Sequence, residues 1–462
     1  MKKIKIPEIL KEFNSVFEKK GFKAYLVGGA VRDTIMKKSV HDWDITSDAK
    51  PEEVQKIFKK VIPTGIQHGT VTVLYKGNEI EVTTFRTEGT YSDGRHPDSV
   101  SFTGDLTEDL SRRDFTMNAI AASLKDGKII DPFNGRKDIK KKIIRTVGNP
   151  KERFLEDGLR PVRAIRFSSK LNFCIEKNTY SAIFQDDILK KVSSVSLERF
   201  RDEFEKILSS KNPSIALKQM EESGILNIFI PELLICRGCI QNDGRGFHDF
   251  DVLDHLFYAC DGAPADKMNV RLASLFHDIG KPQSKKIQNG KITFFNHDKI
   301  SSEITRKILF RLKFPNSVID NVCHLIENHM FFYESNWTDA AVRRFLVRAG
   351  YENLNDLFDL RLADVYGMHK KKVKITDSSL VNNLVELMDR IEKLRENNDA
   401  LTIKDLKING EKLKALGIPS GKDMGIILKS LMETVLDDPE ENTEEKLSEI
   451  ALKLYEEIHK VH

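Results

Sequence analysis

At 462 residues, 40% hydrophobic and 31% charged, the chain has the composition of a soluble globular protein and is too long for a single core. A net charge of +4 is too small to announce a nucleic-acid binder by itself, no apolar stretch is long enough to span a bilayer, and the basic start Met1-Lys2-Lys3-Ile4-Lys5 lacks the apolar run of a signal peptide. Five scattered cysteines (Cys174, Cys236, Cys239, Cys260, Cys323) suit a reduced, cytoplasmic protein; the lone C-x-x-C of Cys236 and Cys239 has no second pair and argues against zinc.

Residues 24–27 read as a short buried strand and 31–36 as the start of a helix, with Gly28-Gly29 between them. Glycines there let backbone N–H groups approach a phosphate at the helix N-terminus, where Arg32 adds charge. His41-Asp42-Trp43-Asp44-Ile45 follows. On a strand Asp42 and Asp44 share a face while Trp43 points into the core. Adjacent carboxylates repel unless a hard cation sits between them, and Mg²⁺ favours carboxylates together with substrate phosphates. A phosphate cradle beside a metal-holding pair points to nucleotidyl transfer, for which two cations about 3.5–4 Å apart serve the attacking and leaving oxygens.

A helix is predicted over 51–60, then strands over 69–75 and 79–85 joined by the turn Lys76-Gly77-Asn78. Glu81 is the candidate third carboxylate, since its strand could lie beside that of Asp42 and Asp44; Glu79 shares its face. The polar, Gly-containing stretch 86–99 reads as a long functional loop, and 109–122 as a helix carrying Arg112-Arg113-Asp114-Phe115-Thr116-Met117-Asn118-Ala119.

From about residue 150 the pattern is helical. Asp157, Arg160, Arg163 and Arg166 recur every third residue as a ladder, and Leu159, Val162 and Ile165 form a separate apolar stripe. An Asp beside an Arg offers acceptors and a fork of donors suited to a base edge, and further arginines suit triphosphate oxygens. Pro161 is awkward inside a helix, so the regular helix is expected to start near Gly158 with Asp157 at its mouth. Further on, His255, His277-Asp278, His297, His329 and Asp364 suit a metal held between helices.

Through Leu26-Val27-Gly28-Gly29-Ala30-Val31-Arg32-Asp33, Asp42-Trp43-Asp44, Thr64-Gly65-Ile66-Gln67-His68-Gly69-Thr70-Val71, Glu81-Val82-Thr83-Thr84-Phe85-Arg86, the Arg112-to-Ala119 motif and Glu156-Asp157-Gly158-Leu159-Arg160, the chain resembles a class II, bacterial-type CCA-adding tRNA nucleotidyltransferase. That group lies within the family that includes bacterial poly(A) polymerases. The resemblance implies an α+β chain: a nucleotidyltransferase head with a small β-sheet over 1–140, then an all-α neck over 141–240, an HD-type domain over 241–370 and a C-terminal helical tRNA-binding region over 371–462. It implies that Gly28, Gly29 and Arg32 contact the triphosphate, and that Asp42 and Asp44 bind Mg²⁺ with Glu81 as a further catalytic carboxylate. Arg113, Asp114 and Asn118 would hold the nucleotide at its ribose. Asp157 and Arg160 would read the base of CTP or ATP in place of a template, with Arg163 and Arg166 on the same nucleotide. The loop 86–99 would serve the switch from C to A addition onto the tRNA 3′ end. A poly(A) polymerase or an A-adding enzyme would share these residues.

The second cluster resembles the HD phosphohydrolase domain. By that likeness His255, His277, Asp278 and Asp364 would hold a divalent metal that activates water against a phosphoester, and His297 and His329 could extend the site to a second metal. A chain acting mainly as such a phosphohydrolase, on RNA or nucleotide phosphoesters, is the reading from another class.

Overall fold

The computed structural model describes residues 3–40, 42–88, 100–241, 249–288, 291–370, 379–396 and 403–460. The chain divides into two compact units, Met1–Leu234 with Arg311–Lys313, and Ile235–Phe310 with Phe314–His462.

The first unit opens with the amphipathic helix α1 (Glu8–Glu18), which buries Leu10, Phe13 and Phe17; Phe13 stacks on Phe58 with ring centroids 4.6 Å apart. Its strands up to residue 130 are β1 (Ala24–Val27), β2 (Trp43–Ser47), β3 (Val61–Gly65), β4 (Thr70–Tyr75), β5 (Asn78–Thr84), β6 (Arg86–Glu88), β7 (Val100–Phe102), β8 (Ala121–Ser123) and β9 (Ile129–Ile130). Seven of them form one sheet in the order β3-β4-β5-β2-β1-β8-β9, and β6 pairs with β7. The β4–β5 hairpin turns at Lys76 and Gly77, both at positive φ, with Tyr75 opposite Asn78. Along β5, Ile80, Val82 and Thr84 are buried and Glu79 and Glu81 face out. β2 pairs in parallel with β5, and the register sets Asp44 beside Glu81. The expectation that these two strands are neighbours is therefore met. Trp43 is half-buried, and it is Ile45 that enters the core.

Helix α2 (Gly28–Ile35) begins at the first glycine, three residues earlier than expected, so both glycines lie in its first turn. Helix α3 (Pro51–Ile57) ends earlier than expected. The helix predicted over 109–122 is broken into α4 (Leu106–Ser111), a 3₁₀ turn at Thr116–Asn118 and β8. The cause is local side-chain competition. Asp105 caps α4 by accepting the Thr107 N–H at 2.7 Å, and the Asp114 carboxylate accepts the Phe115 N–H at 2.8 Å, outside any helical ladder.

Beyond α5 (Gly135–Lys141) the first unit is mainly helical, with α6 (Pro150–Glu156), α7 (Leu159–Leu171), α8 (Lys177–Ile183), α9 (Asp186–Ser193) and α10 (Leu197–Leu208) among its helices; a short parallel pair, β10 (Ile143–Ile144) with β11 (Cys174–Ile175), departs from the all-α neck expected over 141–240. Asp157 has extended backbone angles (φ −138°, ψ 111°) and separates α6 from α7. Pro161 then falls in the first turn of α7, where no intrahelical N–H is required of it. Leu159, Val162 and Ile165 are buried, as their spacing predicts.

The second unit is helical apart from a hairpin of Lys286–Gln288 with Lys291–Thr293. The helices Val252–Gly262 and Leu354–His369 lie in close contact because Gly367 has no side chain: a Cβ there would stand 2.8 Å from the His255 carbonyl and 2.9 Å from Ala259. An apolar cluster including Leu413, Ile418, Leu431, Val435 and Leu447 packs the C-terminal helices. Among the described residues no helix is long and apolar enough to cross a membrane. The substitution Gly367→Ala forces these two helices apart; overpacking of this kind costs about 1–3 kcal/mol. A thermal scan is expected to show a lowered transition midpoint, and an unchanged midpoint would mean the helices slide without cost.

Candidate active site

Every residue expected to act on a nucleotide lines one cleft of about 930 Å³ in the first unit: Gly28, Gly29, Arg32, Asp42, Asp44, Glu81, Arg113, Asp114, Asn118, Asp157, Arg160, Arg163 and Arg166. Thr64, Gly65, His68, Thr70, Arg86, Arg112, Phe167, Lys170 and Lys206 complete its lining. The residues 89–99 of the expected loop, and His41, lie outside the described residues.

Three carboxylates gather on the sheet side. Enclosure in the cleft, and then the charge of Asp42, raise the Asp44 pKa against the lowering effect of Arg113. Glu81 is raised likewise, first by burial and then by Asp44. Like charges on adjacent parallel strands are the donor set a hard divalent cation requires, and the all-oxygen chemistry of Asp42, Asp44 and Glu81 fits magnesium. Glu79, on the same strand face, does not line the cleft. Gly28, at φ +67°, allows close approach: a Cβ there would stand 3.2 Å from the Arg113 guanidinium and 3.7 Å from Asp44.

Opposite the carboxylates the arginines are held by partners. Arg32 is buried, donates to both oxygens of Asp33 at 2.9 Å each and to the Asn118 Oδ1 at 2.7 Å. Asp114 receives two bonds from Arg163 at 3.0 and 2.6 Å and one from the Asn118 amide at 3.0 Å. Burial alone would raise Asp114, but Arg163 and Asn118 outweigh it and hold the carboxyl at about 2. Arg160 donates to Glu156, to the Arg153 carbonyl at 2.9 Å and to the Arg112 carbonyl at 3.2 Å. Arg166 pairs with the buried Glu203 of α10, and its guanidinium lies 3.9 Å from the Phe167 ring centroid.

Several of these partners carry no signal in the sequence. Glu203 is buried and Asp109 is wholly so; Asp109 braces Arg112 at 2.9 Å and Arg113 at 3.2 Å. Only their apolar-face position among charged residues could have marked them. Lys170 and Lys206 were hidden in an ordinary solvated-helix pattern.

The second unit brings all six residues of the second cluster together. The Nε2 atoms of His255 and His277 are 3.1 Å apart, and each lies 3.3–3.5 Å from an oxygen of Asp278 and of Asp364. The other Asp278 oxygen faces His297 at 3.1 Å and His329 at 3.8 Å. Two sets have their donor atoms within 4.8 Å of one another, His255 with His277 and Asp364, and His277 with Asp278 and His329. Burial drives His329 down to about 3. Lys281, to which the sequence assigned no role, reaches Asp278 at 2.6 Å and Gln241 at 2.8 Å. Cys236 and Cys239 join neither set.

Three stretches of the chain match known families. The profile of the Poly A polymerase head domain matches residues 24–145, that of the "Probable RNA and SrmB- binding site of polymerase A" matches 172–236, and that of tRNA nucleotidyltransferase domain 2 matches 291–451. The chain is 35% identical over 461 residues to the CCA-adding enzyme of Ligilactobacillus salivarius (strain UCC118), covering 98% of each chain. It is 35% identical over 441 residues to that of Lactobacillus johnsonii (strain CNCM I-12250 / La1 / NCC 533), covering 96% of this chain and 95% of the relative. Among solved structures, the Bacillus stearothermophilus CCA-adding enzyme in complex with CTP superposes with a TM-score of 0.73 at 29% identity, over 98% of this chain and 99% of that one.

The Asp114–Arg163 pair is testable through acid. A folded pKa near 2, below the ordinary 3.8, means that the ionised carboxyl stabilises the fold fully above about pH 4 and loses that share as the pH falls towards 2. With this side chain only 10% exposed, the shift corresponds to about 2 kcal/mol. Asp114→Asn is expected to lower stability in urea by about that amount at pH 7, and the gap should narrow below pH 4. A gap that is constant down to pH 3 would remove the ion pair as its cause.

Proposed function

The chain belongs to the CCA-adding enzymes, and on that premise we propose how its residues carry out the reaction. It is a nucleotidyltransferase that builds or repairs the 3′-terminal CCA of tRNA from CTP and ATP and releases pyrophosphate. We place four regions along the chain: head 1–140, neck 141–240, an HD-type region 241–370 and C-terminal tRNA-binding helices 371–462. We place its work in the cytoplasm.

The observation that carries the reading is that Asp157 and Arg160 open on the same cleft as Asp42, Asp44 and Glu81. Cytosine and adenine each present an exocyclic amine beside a ring-nitrogen acceptor, whereas uracil and guanine present the reverse pattern. A carboxylate accepting from the amine and a guanidinium donating to the ring nitrogen therefore select CTP and ATP without a template. The N-terminal turn of α2 at Gly28 and Gly29, with Arg32, meets the triphosphate. Arg113, Asp114 and Asn118 hold the ribose side, and Arg163 and Arg166 add charge along the phosphates.

The tRNA 3′-hydroxyl attacks the α-phosphorus and its proton passes to solvent; the new oxygen–phosphorus bond forms as the α–β bridge breaks, and pyrophosphate leaves with the electron pair. CCA-adding enzymes use divalent cations, generally Mg²⁺, which Asp42 and Asp44 would hold, with Glu81 beside them, to neutralise charge on the attacking and leaving oxygens. The test is incorporation of labelled CTP and ATP into tRNAs ending at the discriminator base, at C and at CC. Two C additions and one A, then termination, are expected. A long A tail, or A added only to the CC-ended tRNA, would overturn the reading in favour of the family's other activities. Asp42→Ala should lower the rate by about a hundredfold or more with tRNA affinity nearly intact, because phosphate contacts dominate that affinity.

One observation favours a second activity: six buried histidines and aspartates converge in the second unit, five of them in two sets with donor atoms close together and His297 3.1 Å from Asp278. We infer that His255, His277, Asp278 and Asp364 hold a divalent metal, with His297 and His329 placed to extend the site to a second, and that it hydrolyses a phosphoester. His277→Ala is expected to abolish metal-dependent phosphoesterase activity and to spare CCA addition. Loss of CCA addition by the folded variant would show that the two sites are not independent.

A further inference from the structure

Asp157 belongs to neither α6 nor α7, so no helix fixes its side chain. What fixes it is hydrogen bonding from two sides. The Leu159 N–H donates to its Oδ1 at 3.0 Å, and Arg199 Nη2 donates to both oxygens, at 3.1 Å to Oδ1 and 2.8 Å to Oδ2. Arg199 sits in the first turn of α10 and is not among the residues lining the cleft. The Arg199 and Asp157 side chains are 19% and 15% exposed, so water competes weakly for the pair. One turn further along α10, Glu203 holds Arg166 and approaches Arg163 to within 3.7 Å. A single face of α10 thus lies behind the ladder that faces the nucleotide.

We propose that Arg199 is a positioning residue for nucleotide choice: by clamping both oxygens of Asp157 from behind, it fixes the plane in which that carboxylate can accept the exocyclic amine of cytosine or adenine. This rests on the reading of Asp157 as a base-reading residue. A carboxylate has about four acceptor sites, so its three present bonds leave capacity for an amine. Released from Arg199, the carboxylate turns about its own bonds and accepts equally from the ring N–H of uracil or guanine. The consequence is a loss of discrimination in preference to a loss of rate.

The test measures kcat/KM for CTP and for UTP on a tRNA ending at the discriminator base, in the unmodified enzyme, Arg199→Gln, Arg199→Lys, Asp157→Asn and the double variant Asp157→Asn/Arg199→Gln. Arg199→Gln is expected to lower the CTP-to-UTP ratio about tenfold, within the range that small misplacements cost, mainly by improving UTP use. Arg199→Lys should keep most of the ratio, since one nitrogen makes both contacts, and it serves as the test should the glutamine variant not fold. The double variant should be no less selective than Asp157→Asn alone. An unchanged ratio in Arg199→Gln beside a relaxed ratio in Asp157→Asn would overturn the proposal, as would CTP and UTP use falling together. An unchanged ratio in Asp157→Asn itself would overturn the underlying reading of Asp157.

Discussion

Arg163 and Arg166 hold their guanidinium groups in a protein cleft, and an unpaired charge taken out of water costs several kcal/mol. Asp114 and Glu203 offset that cost, and in doing so they set where the arginines point. The same rule applies around the cleft: Asp109 answers Arg112 and Arg113, Asp33 answers Arg32, and Arg199 answers Asp157. Each pairing consumes part of a donor or acceptor set and leaves the rest aimed inward. The carboxylates of Asp42, Asp44 and Glu81 are the exception, crowded with like charge, and that imbalance is what suits the spot to a cation.

The parts of this site that are local in the sequence were legible there. Gly28-Gly29 at the start of a helix, Asp42 and Asp44 two apart where a strand begins, and the three-residue spacing from Arg160 to Arg166 each carry their geometry in their spacing. The mouth of α7 was readable too, because proline admits few places in a helix. What escaped were features set by a single side-chain bond or by a distant partner. Asp114 turns its carboxylate onto the neighbouring N–H, and a predicted helix becomes a turn. Arg199 lies 42 residues from Asp157, and nothing on α10 distinguishes it from any surface arginine until the fold brings it against the residue between α6 and α7. The neighbouring of β2 and β5 was a reasonable expectation, but the register that seats Asp44 beside Glu81 belongs to the folded sheet.

The second cluster was legible for a different reason. Histidine beside aspartate at a helix end is uncommon enough to be noticed, and its partners are again histidine and aspartate. Burial then sharpens the case. Six such groups in an apolar interior would be costly if their donor atoms diverged; here the two oxygens of Asp278 each face a different pair of imidazoles. Gly367 is part of that geometry, since the close approach it permits brings the helix bearing Asp364 against the helix bearing His255.

A polymerase copying a template inherits its selectivity from base pairing. A protein that must choose cytosine and adenine by itself needs hydrogen-bonding groups whose directions are fixed before the nucleotide arrives, because rejection comes from leaving those groups unpaired against the wrong base. A mobile carboxylate would adapt to uracil and reject nothing. The rigidity of Asp157 is thus as necessary as its charge, and it must be supplied from outside the cleft, where a supporting residue does not compete with the nucleotide for space. Support from a helix behind the ladder meets both conditions, and α10 is the element in this fold that provides it.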